Sequence, residues 1–149
     1  MSVDYCFEIC TVKRVNLSSV NIVESYLKAG WSIYSERKEI IYTDVGDNDD
    51  FDFIAKHISI EEYFDIVRRK ESKKELIAFV MYYLEKKHRY RMDITITPEL
   101  NVLISPDDGT RKMLIPELDI LDVNWYLYRV LIPLMRNHIF IESLSFTQN

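Results

Sequence analysis

Apolar and polar residues alternate at the start of the chain: Val3, Tyr5, Phe7 and Ile9 against Asp4, Cys6, Glu8 and Cys10. A period of two predicts a strand with one buried face. Asn16 to Ser19 then supplies a helix start, and Val20, Val23 and Leu27 fall on one helical face. Ala29-Gly30 ends that helix, with Gly30 as the left-handed cap. Trp31–Ser35 and Glu39–Thr43 read as a hairpin around Glu36-Arg37-Lys38. A loop follows from Asp44 to Asp52.

Two capping boxes come next. In Ser59-Ile60-Glu61-Glu62 the serine hydroxyl can accept from the Glu62 amide while the Glu62 carboxylate reaches back. Ile60, Tyr63, Phe64 and Val67 mark the inner face of that short helix. Ser72-Lys73-Lys74-Glu75 predicts a second, longer helix, with Leu76, Phe79, Val80, Tyr83 and Leu84 facing inward. Tyr90, Met92, Ile94 and Ile96 alternate with Arg89, Arg91, Asp93 and Thr95, so the pattern returns to a strand. Pro98 to Asn101 turns it back into Val102–Ser105. Pro106-Asp107-Asp108-Gly109 predicts another turn, with Gly109 at positive φ, before a third strand of the same meander at Lys112–Ile115. Asp122 caps a last helix running to about Asn137. That helix is apolar nearly all round, is expected to lie centrally in the core, and should kink at Pro133, which lacks an N–H. Ile139–Phe146 closes the chain as a strand.

The expected order is β-α-β-β-α-α-β-β-β-α-β. Hairpins dominate and no βαβ series repeats. This predicts one α+β domain over residues 1–149, a mainly antiparallel sheet with about four helices packed on one face.

Composition narrows the class. The chain has 149 residues, 48% hydrophobic and 13% aromatic, which suits a folded domain rather than a disordered segment. Three glycines leave little room for a glycine-rich phosphate cradle. An acidic pI near 5.2 argues against nucleic acid as the main ligand. Cys6 and Cys10 fall on one face of an extended strand about 13 Å apart, beyond disulfide reach. Reduced thiols fit a cytoplasmic protein. Met1-Ser2-Val3-Asp4 lacks the basic start of a secretory leader. The most apolar window, Val123–Met135, is too short to span a bilayer and is interrupted by Arg129 and Pro133.

Charge is unevenly spread. Residues 43–65 carry eight acids and one base, whereas residues 66–91 carry nine bases and three acids. Opposed patches steer and orient partners. The segment from Asp44 to Asp52 does not match a calcium-binding loop, because the glycine and the distal glutamate of that pattern are missing. His57, His88 and His138 form no metal-ligand spacing, and no nucleophile elbow, Walker loop or dinucleotide fingerprint is present. The expectation is therefore a non-enzymatic binding protein with no cofactor and no metal.

The candidate partner surface is Asp44, Asp47, Asp49, Asp50 and Asp52 with Phe51, Trp31 and Tyr34, aimed at a cationic protein. Phe51 and Phe53 either pin this loop to the core or serve as apolar anchors ringed by charge. An alternative is a small-molecule or nucleotide-binding regulatory domain, in which Arg68, Arg69, Lys73 and Lys74 hold an anion. The helix dipole accounts for the bases through Lys70 but not for Lys73 and Lys74 at the start of the next predicted helix. The aromatic content is also compatible with a homodimer.

Two segments together carry a resemblance. One is Gly30-Trp31-Ser32-Ile33-Tyr34 leading to Val45-Gly46-Asp47-Asn48-Asp49-Asp50-Phe51-Asp52. The other is Leu121-Asp122-Val123-Asn124-Trp125-Tyr126-Leu127 with Ile132-Pro133-Leu134 and Ile141-Glu142-Ser143-Leu144-Ser145-Phe146. They resemble small bacterial proteins, many from Gram-positive species, of the kind found as immunity proteins beside polymorphic toxins. The resemblance implies a protein that neutralises a toxin domain by binding it. It assigns no site residues.

Overall fold

A computed structural model of the chain describes residues 4–149. Val3, expected in the first strand, and the start of the segment read for a leader lie outside the described residues. The centre of the fold is a seven-stranded antiparallel sheet. Its strands are β1 (Tyr5–Thr11), β2 (Ile40–Tyr42), β3 (Ile54–Lys56), β4 (Ile77–Glu85), β5 (His88–Ile96), β6 (Val102–Pro106) and, last in the chain, β9 (Ile141–Gln148). Their spatial order is β3-β2-β4-β5-β6-β1-β9.

One row of opposed residues crosses the whole sheet: Ile54, Tyr42, Phe79, Ile94, Ile104, Phe7 and Phe146. Directly opposed residues share a face, so this row is the floor on which the helices sit. Helices α1 (Ser19–Lys28), α2 (Ile60–Ser72), α3 (Val123–Val130) and α4 (Ile132–Arg136) all pack there. Tyr63 of α2 stands edge-on to Tyr42 and Phe79. Tyr126 of α3 lies against Phe7, and Tyr26 of α1 donates from its hydroxyl to the Val130 carbonyl at 2.8 Å.

The caps behave as the sequence predicts at three places. Ser59 and Glu62 form the reciprocal capping box of α2. Asp122 accepts from the Trp125 amide at the start of α3. Gly30, at φ 102°, carries the chain out of α1. The C-terminal helix breaks between α3 and α4, where Pro133 cannot donate to the Arg129 carbonyl. The halves count as one helix, so the sheet carries three helices rather than about four. That helix is also less central than expected, since Tyr128 and Met135 are exposed.

The main departure is at residues 72–85. No helix starts at Ser72. Instead α2 ends there: the amides of Lys73, Lys74 and Glu75 bond back to the α2 carbonyls of Arg69, Glu71 and Lys70, with Lys74 in the left-handed region at φ 57°. The segment Ile77-Ala78-Phe79-Val80-Met81-Tyr82 is then a central strand, buried on both faces. A continuous apolar run looks the same to a helical or an extended period, and only neighbours on both sides decide it. The β4–β5 hairpin closes through Lys86-Lys87, with Lys86 at φ 57°. That dipeptide lacks the Asn-Gly or Asp-Gly chemistry by which such turns are read.

Smaller corrections follow. Trp31–Ser35 is not a full hairpin arm; it contributes two isolated bridges, Ser32 to Tyr82 and Tyr34 to Ile40. Strand β3 (Ile54–Lys56) has no counterpart in the predicted order. Met113–Ile115 (β7) does not join the meander. It pairs with Ile120–Leu121 (β8) in a separate two-stranded sheet around a short 3-10 turn at Pro116–Leu118. Gly109 does not take positive φ, which falls to Gly30 and Gly46 among the glycines. No helix among the described residues is long and apolar enough to cross a membrane.

Two predictions come from this packing. Phe79→Ala lowers the unfolding free energy by about 3–5 kcal/mol in urea titration. Leu84→Ala, at the far end of the same strand and 66% exposed, changes it by less than about 0.5 kcal/mol. If residues 76–84 formed a helix with Leu84 inward, both would be costly. The second concerns the buried tyrosines. Burial pushes the Tyr126 hydroxyl up to about 12 and raises those of Tyr26 and Tyr63 as well. The folded state therefore holds protons that the unfolded chain releases near pH 10, so stability is whole below about pH 10 and falls as pH rises through 12. Urea midpoints measured from pH 8 upward should be level at first and then decline, less steeply in Tyr126→Phe.

Candidate functional site

The acidic loop between β2 and β3 is built around a buried lysine. Tyr63 and Val67 place the inner face of α2 against the sheet, and Lys70, one turn further, points the same way and is 1% exposed. Its ammonium donates to the Asp44 carbonyl at 2.7 Å and the Asp47 carbonyl at 2.6 Å. It also lies 3.5 Å from the Glu75 carboxylate. Glu75 in turn accepts from the Gly46 amide at 3.0 and 3.1 Å. An ammonium has three protons, and a buried one must find acceptors for them. Here two come from the loop backbone and one from the residue that ends the α2 connection.

A second brace is internal. The Asp47 carboxylate accepts from the amides of Asp50, Phe51 and Asp52 at 3.0, 3.1 and 2.7 Å. The Asn48 side-chain oxygen accepts from the Leu76 amide at 2.9 Å. Asp47 is thus the organiser of a tight turn, and Asp44 turns its own carboxylate to the Val45 amide. The result is a loop fixed from both ends while Asp49, Asp50 and Asp52 remain exposed and make no ion pair among the described residues. Phe51 is 43% exposed and Phe53 39% exposed. Neither ring pins the loop. Phe51 also holds φ at 53°, a backbone region uncommon for a residue with a Cβ, kept in place by the Asp47 carboxylate.

The other predicted members of this surface lie elsewhere. Trp31 is 3% exposed, and its indole donates to the Arg129 carbonyl at 2.9 Å. It belongs to an aromatic cluster with Tyr83, Trp125 and Tyr90. The Arg129 guanidinium caps that cluster over Trp125 and Tyr83, at 4.3 and 5.1 Å from the ring centres. Glu85 closes it by accepting from Arg129 and from the Trp125 indole. Trp31 is therefore a core residue and not part of a partner surface. A tryptophan beside a glycine carries no signal that separates those two fates. Tyr34 is partly buried and acts as a strut: its hydroxyl donates to the Ile58 carbonyl at 3.0 Å, and its carbonyl accepts from Arg89 at 2.6 Å.

The basic run also reads differently once β4 is a strand. Lys73 and Lys74 follow the last turn of α2 rather than opening another helix. They stand at a negative helix end, where bases are favourable. Arg68 pairs with Asp65 at 3.1 Å, and Arg69, Lys73 and Lys74 are exposed. An anion bound there would face the negative end of the α2 dipole, which weakens but does not remove the attraction of these four bases.

A separate groove of about 570 Å³ crosses the face of the sheet away from the helices, with Tyr82 and Ile41 in its floor. Two of its three arginines are engaged: Arg89 stacks over Tyr82 at 4.6 Å, and Arg91 lies 3.5 Å from Asp93 and 4.0 Å from Asp107, while Arg37 is exposed at its rim. Burial pushes the Asp93 carboxyl up, and Arg91 pulls it back. Among the described residues no three His, Cys, Asp or Glu side chains converge as a metal-ligand set. His57 accompanies the Lys38 carbonyl and Glu39, and His88 stacks on Tyr90. Cys6 and Cys10 are free thiols.

No protein-family model matches this chain, and no curated protein or solved structure does either.

The bracing separates two kinds of acid. Lys70→Ala strands two loop carbonyls and a carboxylate and should lower stability by about 3–5 kcal/mol. It should also open residues 44–53 to proteolysis. Asp47→Lys, which removes three backbone acceptor bonds, is destabilising too. Asp49→Lys and Asp50→Lys stay within about 0.5 kcal/mol of the parent in urea titration. Equal losses for Asp47 and Asp49 would mean the turn is not organised this way.

Proposed function

We propose that the protein is a non-enzymatic binding module and that it acts as an immunity protein, occluding a cationic surface of a toxin domain. The observation that carries this reading is the pair Phe51 and Phe53, exposed between Asp49, Asp50 and Asp52 on a loop braced from within by Lys70 and Asp47. Exposed aromatic rings set among charges that bring long-range attraction make a strong binding centre. A loop held rigid before binding loses little conformational entropy on association. The charges steer, and the rings supply contact area once water is excluded.

The refined surface is smaller than the one the sequence suggests. It consists of Asp49, Asp50, Asp52, Phe51 and Phe53, with Asp44 and Asp47 as its frame. The resemblance to immunity proteins points to a partner encoded nearby. A toxin domain acting on a phosphate-bearing substrate presents a basic active site, which suits three free carboxylates.

The test is protection. The C-terminal domain of the reading frame adjacent to this gene is expressed in a heterologous host, alone and with this protein. The expected outcome is growth arrest alone and recovery with the protein. The triple variant Asp49→Lys/Asp50→Lys/Asp52→Lys should fold normally by circular dichroism and lose protection, and Phe51→Ala should weaken it. Absence of protection by the parent protein overturns the function; full protection by the triple variant overturns the site.

A further inference from the structure

The two edges of the sheet are unlike. The β3 edge is three residues long and ends at Lys56, a short and charged edge of the kind that discourages strand addition. The β9 edge is eight residues long, and among the described residues nothing pairs with its outer side. Its stretch Ser143–Gln148 has no ionisable side chain.

The register of β9 says which backbone groups are free. Asp4 and Asn149 exchange both hydrogen bonds, at 3.0 and 2.8 Å. Reciprocal pairs recur every second residue in an antiparallel ladder, so Thr147, Ser145 and Ser143 bond to Cys6, Glu8 and Cys10. The residues between them, Leu144, Phe146 and Gln148, direct their N–H and C=O groups outward. Their side chains share the face of Phe7 and Ile9, on which the helices lie. The ladder shifts beyond Cys10, between Ser143 and Ile141, so the regular stretch starts at Ser143.

We infer that β9 pairs antiparallel with β9 of a second copy, about a two-fold axis at Ser145. In that register Leu144 of one chain bonds reciprocally with Phe146 of the other, apolar beside apolar on the helix side. Ser143 faces Thr147, and Ser145 faces Ser145, hydroxyl beside hydroxyl on the open side. Shifting by two residues either way opposes like residues at the axis but sets Phe146 against Glu142, or Leu144 against Gln148. The Ser145-centred register alone matches every residue from 143 to 147 by polarity. No like charges meet across it, so two copies of net charge −5 can approach at this edge. The acidic loop lies beside the opposite edge, so dimerisation leaves both loops free and is independent of the toxin-binding reading.

The test uses a Cys6→Ser/Cys10→Ser background. Ser145 and its counterpart form a non-hydrogen-bonded pair with Cα atoms about 4.5 Å apart, within disulfide reach. With diamide as oxidant, Ser145→Cys should give about tenfold more linked dimer than Ser143→Cys, whose own counterpart lies four residue pairs along the ladder, about 13 Å away and beyond disulfide reach. Light scattering on the untouched chain at about 100 µM should report twice the 17.8 kDa monomer mass. Leu144→Pro removes an outward N–H without touching the β1 ladder and should return the monomer. Monomeric mass for the parent chain, preferential linkage at Ser143, or a dimer that neither links through Ser145→Cys nor yields to Leu144→Pro would each overturn the proposal.

Discussion

A single buried ammonium ties the charged half of this protein together. Lys70 bonds the acidic loop to α2, and its ion pair with Glu75 ties the same point to the strand that follows. An uncompensated charge at that depth would be prohibitive, so the loop must close over it. That requirement sets the path of residues 44–52, and Asp47 then fixes the turn at their end. The three outermost acids and the two phenylalanine rings are displayed as a consequence of what lies beneath them. The basic segment meets the acidic loop through backbone carbonyls, which leaves the loop's outer carboxylates unpaired.

The sheet divides labour in a comparable way. Its helix-covered face carries the aromatic row and supplies the core. Its β3 edge adjoins the acidic loop, while its β9 edge offers an uncharged line of free backbone groups. The aromatic cluster around Trp125 joins α3 to the β4–β5 hairpin, with Arg129 held over the rings and Glu85 answering its charge. A cation that occupies its own aromatic cluster makes this a structural joint. That is why Trp31, prominent in the sequence, has no surface role.

Much of the fold is legible in local chemistry. The alternation in β1 and β5, the Ser59–Glu62 box, the Asp122 cap, the Gly30 exit and the Pro133 break all depend on neighbours a few residues away. The α+β class follows from their order. Residues 72–85 escaped because a real capping-box pattern precedes a run that suits both periods. In the folded chain Glu75 is drawn to Gly46, so its carboxylate is not available to cap. The Lys86-Lys87 turn and strand β3 carry no composition that marks them.

The candidate site divides along the same line. Its acidity and its two aromatic rings can be read from the residues alone, because exposure of unpaired carboxylates is the default. Which acids are free and which are structural cannot, since Asp47 and Asp49 differ only in what folds back onto them. Likewise Lys70 is one base in a run of bases until the period of α2 and the depth of the sheet bury it. Sequence determined the elements whose causes are local: caps, alternation, charge blocks. Tertiary structure decided every feature that depends on a partner distant in the chain, because burial and hydrogen-bond satisfaction are properties of neighbours in space.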